Sequence, residues 1–503
     1  MDGCRWWLDR HDRKQYKVEI ISTICFVAIA FIINAMVFFL KETPFDPMDI
    51  SCAITAIVGI VAFGIYLIRY IDECYSFFAV IVFPILVILL FQIGRWIPGY
   101  TDFEIAKIIG FLGLILIVYN SNTKWVYRTL LLVGAYHILV AYSVSFDWGV
   151  DGSATTSNLI WGIPRSHIIY GTIVYAGMMA AYKLFMQDNP VWKWASAAYL
   201  VAGVLTIFHL YSNAAIGIMV LSPVILLALN GYRYTALLLF LAGICAAMTL
   251  DQHGFTVNSQ RMIWWNCVIK ESVSSIQIFL SGHGAGSWPL YSGLYGENFP
   301  GHPHNEVLNI LFDYGFIGLL YFLSVFILIL FFSKIDPVRG IALLMIVIST
   351  GINSARYPFI LFLIAVYAGL CLKGSRGLFD ETAKDNYVSQ NGRVVTKIVL
   401  GVCLAFFVFV SYEQMRSDIA VSKSKNKDNL TRVTILEGHR SLEARYFQNI
   451  ASIMTLYEDK YPHENQMEEA EKITKTFDDF IRYAPGYKDM PKMQKNTNNG
   501  GSR

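Results

Sequence analysis

The chain has 503 residues, of which 55% are hydrophobic and only 15% charged, with a formal net charge of +3. Soluble domains carry about a quarter of their residues charged, so this balance argues against a string of soluble domains, and a charge so near zero implies no nucleic-acid footprint. The cysteines (Cys4, Cys25, Cys52, Cys74, Cys245, Cys267, Cys371 and Cys403) show no CxxC spacing, which argues against both a disulfide framework and a zinc site.

The apolar residues come in long blocks. A helix needs about 20 of them to cross a bilayer core, and strand-length alternating segments are absent. The fold class is therefore all-α, a polytopic helical membrane protein with about 13 transmembrane helices. In chain order, residues 1–17 form a polar, basic N-terminus with no cleavable signal expected. Transmembrane helices 1–9 fill 18–250, near 18–40, 51–70, 75–94, 103–119, 125–145, 166–185, 193–210, 213–229 and 234–250. A long loop occupies 251–304. The remaining spans lie within 305–412, near 305–332, 338–354, 357–372 and 396–412.

Lys and Arg collect on one set of connections: Lys17, Arg69, Lys124, Arg128, Lys183, Lys193, Arg233, Lys334, Arg339, Lys373 and Lys397 belong to it. The opposite connections and helix ends hold Lys41, Arg95, Lys107, Arg165 and Arg356. The positive-inside bias puts the N-terminus in the cytoplasm. Loop 251–304 is then outside, as is the tail from Ser411, while 373–395 is a cytoplasmic linker. In the tail, Leu442, Phe447, Ile450 and Met454 share one helical face, and Met467, Ala470, Ile473 and Phe477 another. The segment 413–490 reads as an external helical hairpin and 491–503 as disordered.

The outer loop is too long for a plain connection. Its stretch "NSQRMIWWNCVIKESVSSIQ" predicts a helix capped at Asn258 or Ser259, with Met262, Trp265 and Ile269 on one stripe at the membrane surface. Arg261, in its first turn, reads either as a snorkelling arginine or as a phosphate clamp. The turn "SGHGAGSWP" lacks both the GxGxxG and the GxSxG pattern; it is a tight turn, or a row of N–H groups open to an anion. Pro303 restricts His302 to extended backbone. His304 and Asn305 stand where the next span begins, and a helix N-terminus attracts anions and disfavours protonation of a nearby imidazole. That suits a general base beside an anion site; a helix-capping interfacial pair is the plainer alternative. Asp313 lies about two turns deeper. His253, His283, His302 and His304 show no HExxH spacing, so no metal site is expected. The outer cations Arg95, Arg165, Arg261, Lys270 and Arg356 defy the charge bias and together would suit a lipid-borne diphosphate.

The combination of an arginine and "WW" early in an outer loop, then "SGHGAGSW", then "GHPHNEVLNILFDYGFIGLLYFL" resembles the O-antigen ligase-like superfamily. That superfamily holds O-antigen ligases, bacterial protein O-oligosaccharyltransferases and O-antigen polymerases. The matching residues are His304, Asn305, Leu308, Leu311, Gly315 and Gly318, and the likeness extends over roughly 160–335. It implies a glycosyltransferase of the bacterial inner membrane, taking a glycan from an undecaprenyl-diphosphate donor at the periplasmic face. The acceptor would be a protein or the lipid A core, and no metal, nucleotide sugar or other cofactor is implied. By position, His304 would activate the acceptor hydroxyl or assist departure of the diphosphate, and Arg261 would bind the diphosphate. Arg165 is a looser match, because relatives carry Pro-Asn where this chain has Pro164-Arg165. Substrate contacts are expected from Arg165, Asn305, Arg95, Arg356, His302 and Lys270. Two rival classes remain: a transporter or flippase for an anionic lipid, which predicts broken helices and charges within spans, and a non-catalytic envelope scaffold docking through its tail.

Overall fold

The computed structural model describes residues 16–32, 57–66, 100–143, 167–187, 189–210, 213–251, 259–288, 303, 305–332, 336–350 and 358–374. Helix is the only regular secondary structure among them. In chain order the helices are α1 (16–32), α2 (Ile57–Tyr66), α3 (Tyr100–Asn120), α4 (Thr123–Ser143), α5 (His167–Gln187), α6 (Pro190–His209), α7 (Asn213–Leu229), α8 (Arg233–Asp251), α9 (Ser259–Ser272), α10 (Ile276–Ser281), α11 (Glu306–Phe332), α12 (Pro337–Ser349) and α13 (Pro358–Gly374). Three of the described helices are long and apolar enough to cross a membrane: Ile169–Met186 within α5, all of α6, and Glu306–Phe331 within α11. The spans expected near 75–94 and 396–412, and the tail hairpin, lie outside the described residues.

The chain divides into two compact units. The first draws on Met1–Ala79, Ile109–Asn258 and Leu323–Lys397, the second on Val80–Ile108, Ser259–Phe322 and Ile398–Arg503.

In the first unit α5 is the central element, packed against α4, α6, α7, α12 and α13. Its sequence is apolar all round, the pattern of a helix with no solvent face. Small residues let neighbours close in: Gly134 and Gly177 leave the space that the Tyr199 hydroxyl fills. That hydroxyl donates to the Val174 carbonyl (3.1 Å), and the Tyr367 hydroxyl donates to the Ala176 carbonyl (2.6 Å). Tyr175 and Ser222 share a hydrogen bond of 2.6 Å. Such inter-helix bonds hold helices together where no water competes. At α6 the start is fixed by Asn189, whose side chain accepts from the Trp192 N–H (3.1 Å), with Pro190 in the first turn.

Helix ends that the charge bias assigns to one side are tied together. Asn122, between α3 and α4, donates to Glu19 of α1 at 2.8 Å. Lys373 at the end of α13 donates to the Ser121 carbonyl. Asp336, before α12, bridges Lys183 of α5 and Arg339 of α12, each at 2.9 Å. Arg339 also donates to the Tyr127 hydroxyl (2.9 Å) and the Leu370 carbonyl (2.8 Å), and Arg128 of α4 sits 4.9 Å from the Trp192 ring of α6. The ends of α3, α5 and α13 and the starts of α1, α4, α6 and α12 therefore share one side of this unit, as an up-and-down arrangement requires.

In the second unit the expected surface helix of the outer loop is two helices. α9 ends at Ser272, and α10 restarts after Ser275 caps it by accepting from the Ile278 N–H at 3.2 Å. A greater departure concerns 305–332, expected as one continuous span. α11 is broken at Gly315, where φ is 70° and ψ −173°, a conformation essentially confined to glycine.

Candidate functional site

The packed face of α9 runs through Arg261, Trp265, Val268 and Ser272, spaced by four, three and four residues. Val268 and Ser272 are buried, Arg261 and Trp265 half-buried. Met262 and Ile269, expected with Trp265 on one stripe at the membrane surface, are 55% and 44% exposed and lie on the flank of the packed face. The packed face meets α11: Val268, Trp288, Phe312 and Leu308 form one apolar cluster, with the Trp288 and Phe312 rings edge-on at 5.1 Å. One turn along from Arg261, the Trp265 indole N–H donates to the carbonyl of Pro303 at 3.0 Å. The carbon of that carbonyl carries the peptide bond into His304, so α9 grips the backbone that leads into the predicted base.

Of the residues singled out in the sequence, Arg261, Lys270 and Asn305 are described; His302, His304, Arg95, Arg165 and Arg356 lie outside the described residues. Lys270 does not join Arg261. Nine residues at 100° each turn it to the opposite side of α9, roughly 13 Å along the axis, and it is exposed. Asn305 has a structural use, since its side-chain oxygen accepts from the Leu308 N–H (3.1 Å) and caps α11. Asn305 is therefore the cap of α11 and stands just before its first turn. Lys107, one of the cations opposing the charge bias, pairs with Glu104 on its own helix at 2.8 Å. Burial pushes the Cys267 thiol of α9 up, Glu271 adds to this and Lys270 opposes it, so thiolate chemistry is disfavoured there.

The turn 282–288 reaches the break in α11, and three of its N–H groups donate to that helix. His283 N–H donates to the Phe312 carbonyl (2.8 Å) and Gly284 N–H to the Asp313 carbonyl (3.0 Å). These carbonyls precede the break, which removes them from the regular helical ladder. Gly286 N–H donates to the Asp313 carboxylate at 3.1 Å, and the Ser287 hydroxyl approaches it at 3.4 Å. The glycine-rich turn thus donates to the chain's own Asp313 side chain, and the tight-turn reading holds. The His283 ring stacks on Phe312 at 4.3 Å, with Nε2 3.3 Å from the Glu271 carbonyl oxygen. Sequence reasoning gave Asp313 too small a part and left Trp288 unused. The available signal was a carboxylate inside an apolar span, two residues before a glycine and downstream of a glycine-rich turn.

Fold and site together define a helical protein with three described helices long and apolar enough to cross a membrane, and an α9–α10 segment locked onto a broken helix. No known family model matches the chain, and no curated protein matches it significantly.

Proposed function

We propose that the chain is a glycosyltransferase of the bacterial inner membrane that moves a glycan from undecaprenyl diphosphate to an acceptor at the periplasmic face. The acceptor class is that of a protein O-oligosaccharyltransferase or an O-antigen ligase. The observation that carries this reading is the Trp265–Pro303 hydrogen bond. It draws the helix bearing Arg261 to the backbone that precedes His304, and so favours a guanidinium and an imidazole in one site. Arg261 holds the diphosphate through its planar fork. His304 takes the proton of the acceptor hydroxyl as that oxygen attacks the anomeric carbon. The bond from that carbon to the diphosphate oxygen breaks, and undecaprenyl diphosphate leaves as the anion. The basic side of the first unit faces the cytoplasm in this reading.

The break in α11 beside a buried carboxylate is the feature that favours a transporter. Two observations weigh against it: the carbonyls ahead of the break and the Asp313 carboxylate are occupied by the turn 283–287. A polymerase of the same superfamily uses the same site on a growing glycan.

The test is His304→Ala expressed in cells with the glycan donor. Transfer should fall about 100-fold or more, the usual contribution of a general base, at an unchanged protein level in the membrane. Full activity in that variant removes His304 from the chemistry. Comparing glycosylated species with and without the gene identifies the acceptor as protein, lipid A core or polymer.

A further inference from the structure

Asp313 is 1% exposed, about two turns into an apolar helix and two residues before its break, and the transfer chemistry makes no direct use of it. A carboxylate in such a place is costly unless it is paired or hydrogen-bonded. Here its oxygens meet Gly286 N–H and the Ser287 hydroxyl, while its backbone carbonyl accepts from Gly284. The last residue of that turn is Trp288, fully buried in one apolar cluster with Phe312 and Val268. Val268 lies two turns from Arg261 on the packed face of α9. The path from Asp313 to Arg261 thus runs through one turn, one indole and one helix face, each in contact with the next.

We propose that Asp313 is a positioning residue for the transfer reaction: by holding the turn 282–288 against the break in α11 it sets where α9 presents Arg261. The inference rests on the transferase reading for its kinetic consequence, though not for its structural one. Asp313 touches neither donor nor acceptor and acts through α9.

Two variants separate hydrogen bonding from charge. Asp313→Asn keeps one acceptor oxygen for Gly286 N–H and turns its amide N–H toward the Ser287 oxygen, which can accept; Asp313→Ala keeps neither contact. In proteoliposomes holding the full chain and undecaprenyl-diphosphate-linked glycan, Asp313→Ala should lower kcat/KM for the donor about tenfold or more, and Asp313→Asn less than about threefold. If Asp313 acts through Arg261, then Asp313→Ala made in an Arg261→Ala background costs less than about twofold further. Losses that multiply would mean a general structural role and would overturn the proposal. Hydrogen exchange on the purified full chain gives a readout independent of transfer. Asp313→Ala should speed exchange across both 282–288 and 259–272, and Asp313→Asn across neither; unchanged exchange in 259–272 overturns the proposal. A wild-type chain that transfers nothing sinks the transferase reading alone, because the exchange result still decides the latch. Should Asp313→Ala fail to accumulate, Asp313→Glu keeps the charge and displaces it by one methylene. It should lose activity several-fold and show the same non-multiplicative behaviour with Arg261→Ala; no loss, or a multiplicative loss, overturns the positioning role.

Discussion

Gly282→Ala tests the contact between the outer turn and the break in α11. Gly282 has φ 73° and ψ −176°, a region where a residue with a side chain is strained by about 1–3 kcal/mol. Its added Cβ would lie 2.5 Å from the carbonyl carbon of Asp313 and 2.6 Å from the Gly315 nitrogen, and closer still to the Asp313 carbonyl oxygen. Every one of these atoms is backbone, so no side chain can swing aside. Ordinary contact begins near 3.4 Å, and the two backbones must therefore part by about 1 Å. That opens the His283–Phe312 and Gly284–Asp313 bonds, now 2.8 and 3.0 Å, beyond bonding distance. Each leaves buried groups unsatisfied at about 1–3 kcal/mol. Together the perturbation costs about 3–9 kcal/mol, comparable with the whole stability of many domains, about 5–15 kcal/mol. The assay is thermal unfolding of the detergent-purified chain, with limited proteolysis to locate the weakened segment. Gly217→Ala is the control: it sits inside α7 with nothing within 4 Å of its added Cβ, and alanine there gains up to about 1 kcal/mol of helix propensity. The expected result is loss of folded Gly282→Ala protein, or cleavage first within 282–315, with Gly217→Ala at or above wild-type stability. A Gly282→Ala chain melting with the wild type would refute the close approach of the two backbones.

Two further perturbations address other parts of the molecule. Asp336→Asn removes the carboxylate that Lys183 and Arg339 share, both largely buried (12% and 15% side-chain exposure). Because two cations lose their partner, it should cost about 2–4 kcal/mol, read as an earlier thermal transition in detergent; an unchanged transition would show that the pairs contribute little. Lys270→Ala and Arg261→Lys form a matched pair on α9. The first should leave transfer within about twofold of wild type, since Lys270 is exposed on the face away from Arg261. The second keeps the charge but loses the planar fork, and should reduce transfer about tenfold; equal losses in the two would refute the assignment of the working face.

Much of the helical layout was legible because long apolar blocks bounded by caps leave few alternatives. The span expected at 213–229 is α7, and 166–185, 193–210 and 234–250 fall within three residues of α5, α6 and α8 at each end. Asn189-Pro190 marks the start of α6 by its capping chemistry. The span expected at 338–354 is α12 as far as Ser349, and its residues 351–354 lie outside the described residues. At the end of α12 the Ser349 and Thr350 hydroxyls donate to the Ile346 and Val347 carbonyls, each at 2.6 Å, and close the last turn. The break at Gly315 was not legible, because a glycine in an apolar run looks the same whether it admits a neighbouring helix or abandons helical geometry. Within the candidate site, Arg261 and Asn305 were legible by residue type and place, but which face of α9 packs was not. Met262, Trp265 and Ile269 do share an apolar stripe, and only the partner surface of Trp288 and Phe312 shows that the packed face is turned toward Arg261.

The break and the turn each need the other. In hydrocarbon no water satisfies the carbonyls ahead of a break, so an interrupted span persists only where protein or a water-filled cavity supplies donors. The turn 282–288, for its part, offers N–H groups with no strand or helix to receive them. Placed together, His283 and Gly284 donate to the carbonyls of Phe312 and Asp313, and Gly286 donates to the carboxylate. A transporter's broken helix keeps such carbonyls for its cargo and moves around them. Here they are taken up by backbone, at a crossing where Gly282 and Gly315 leave no space even for a methyl group. This crossing is closed by backbone on both sides, a close approach that glycine at 282 and at 315 permits.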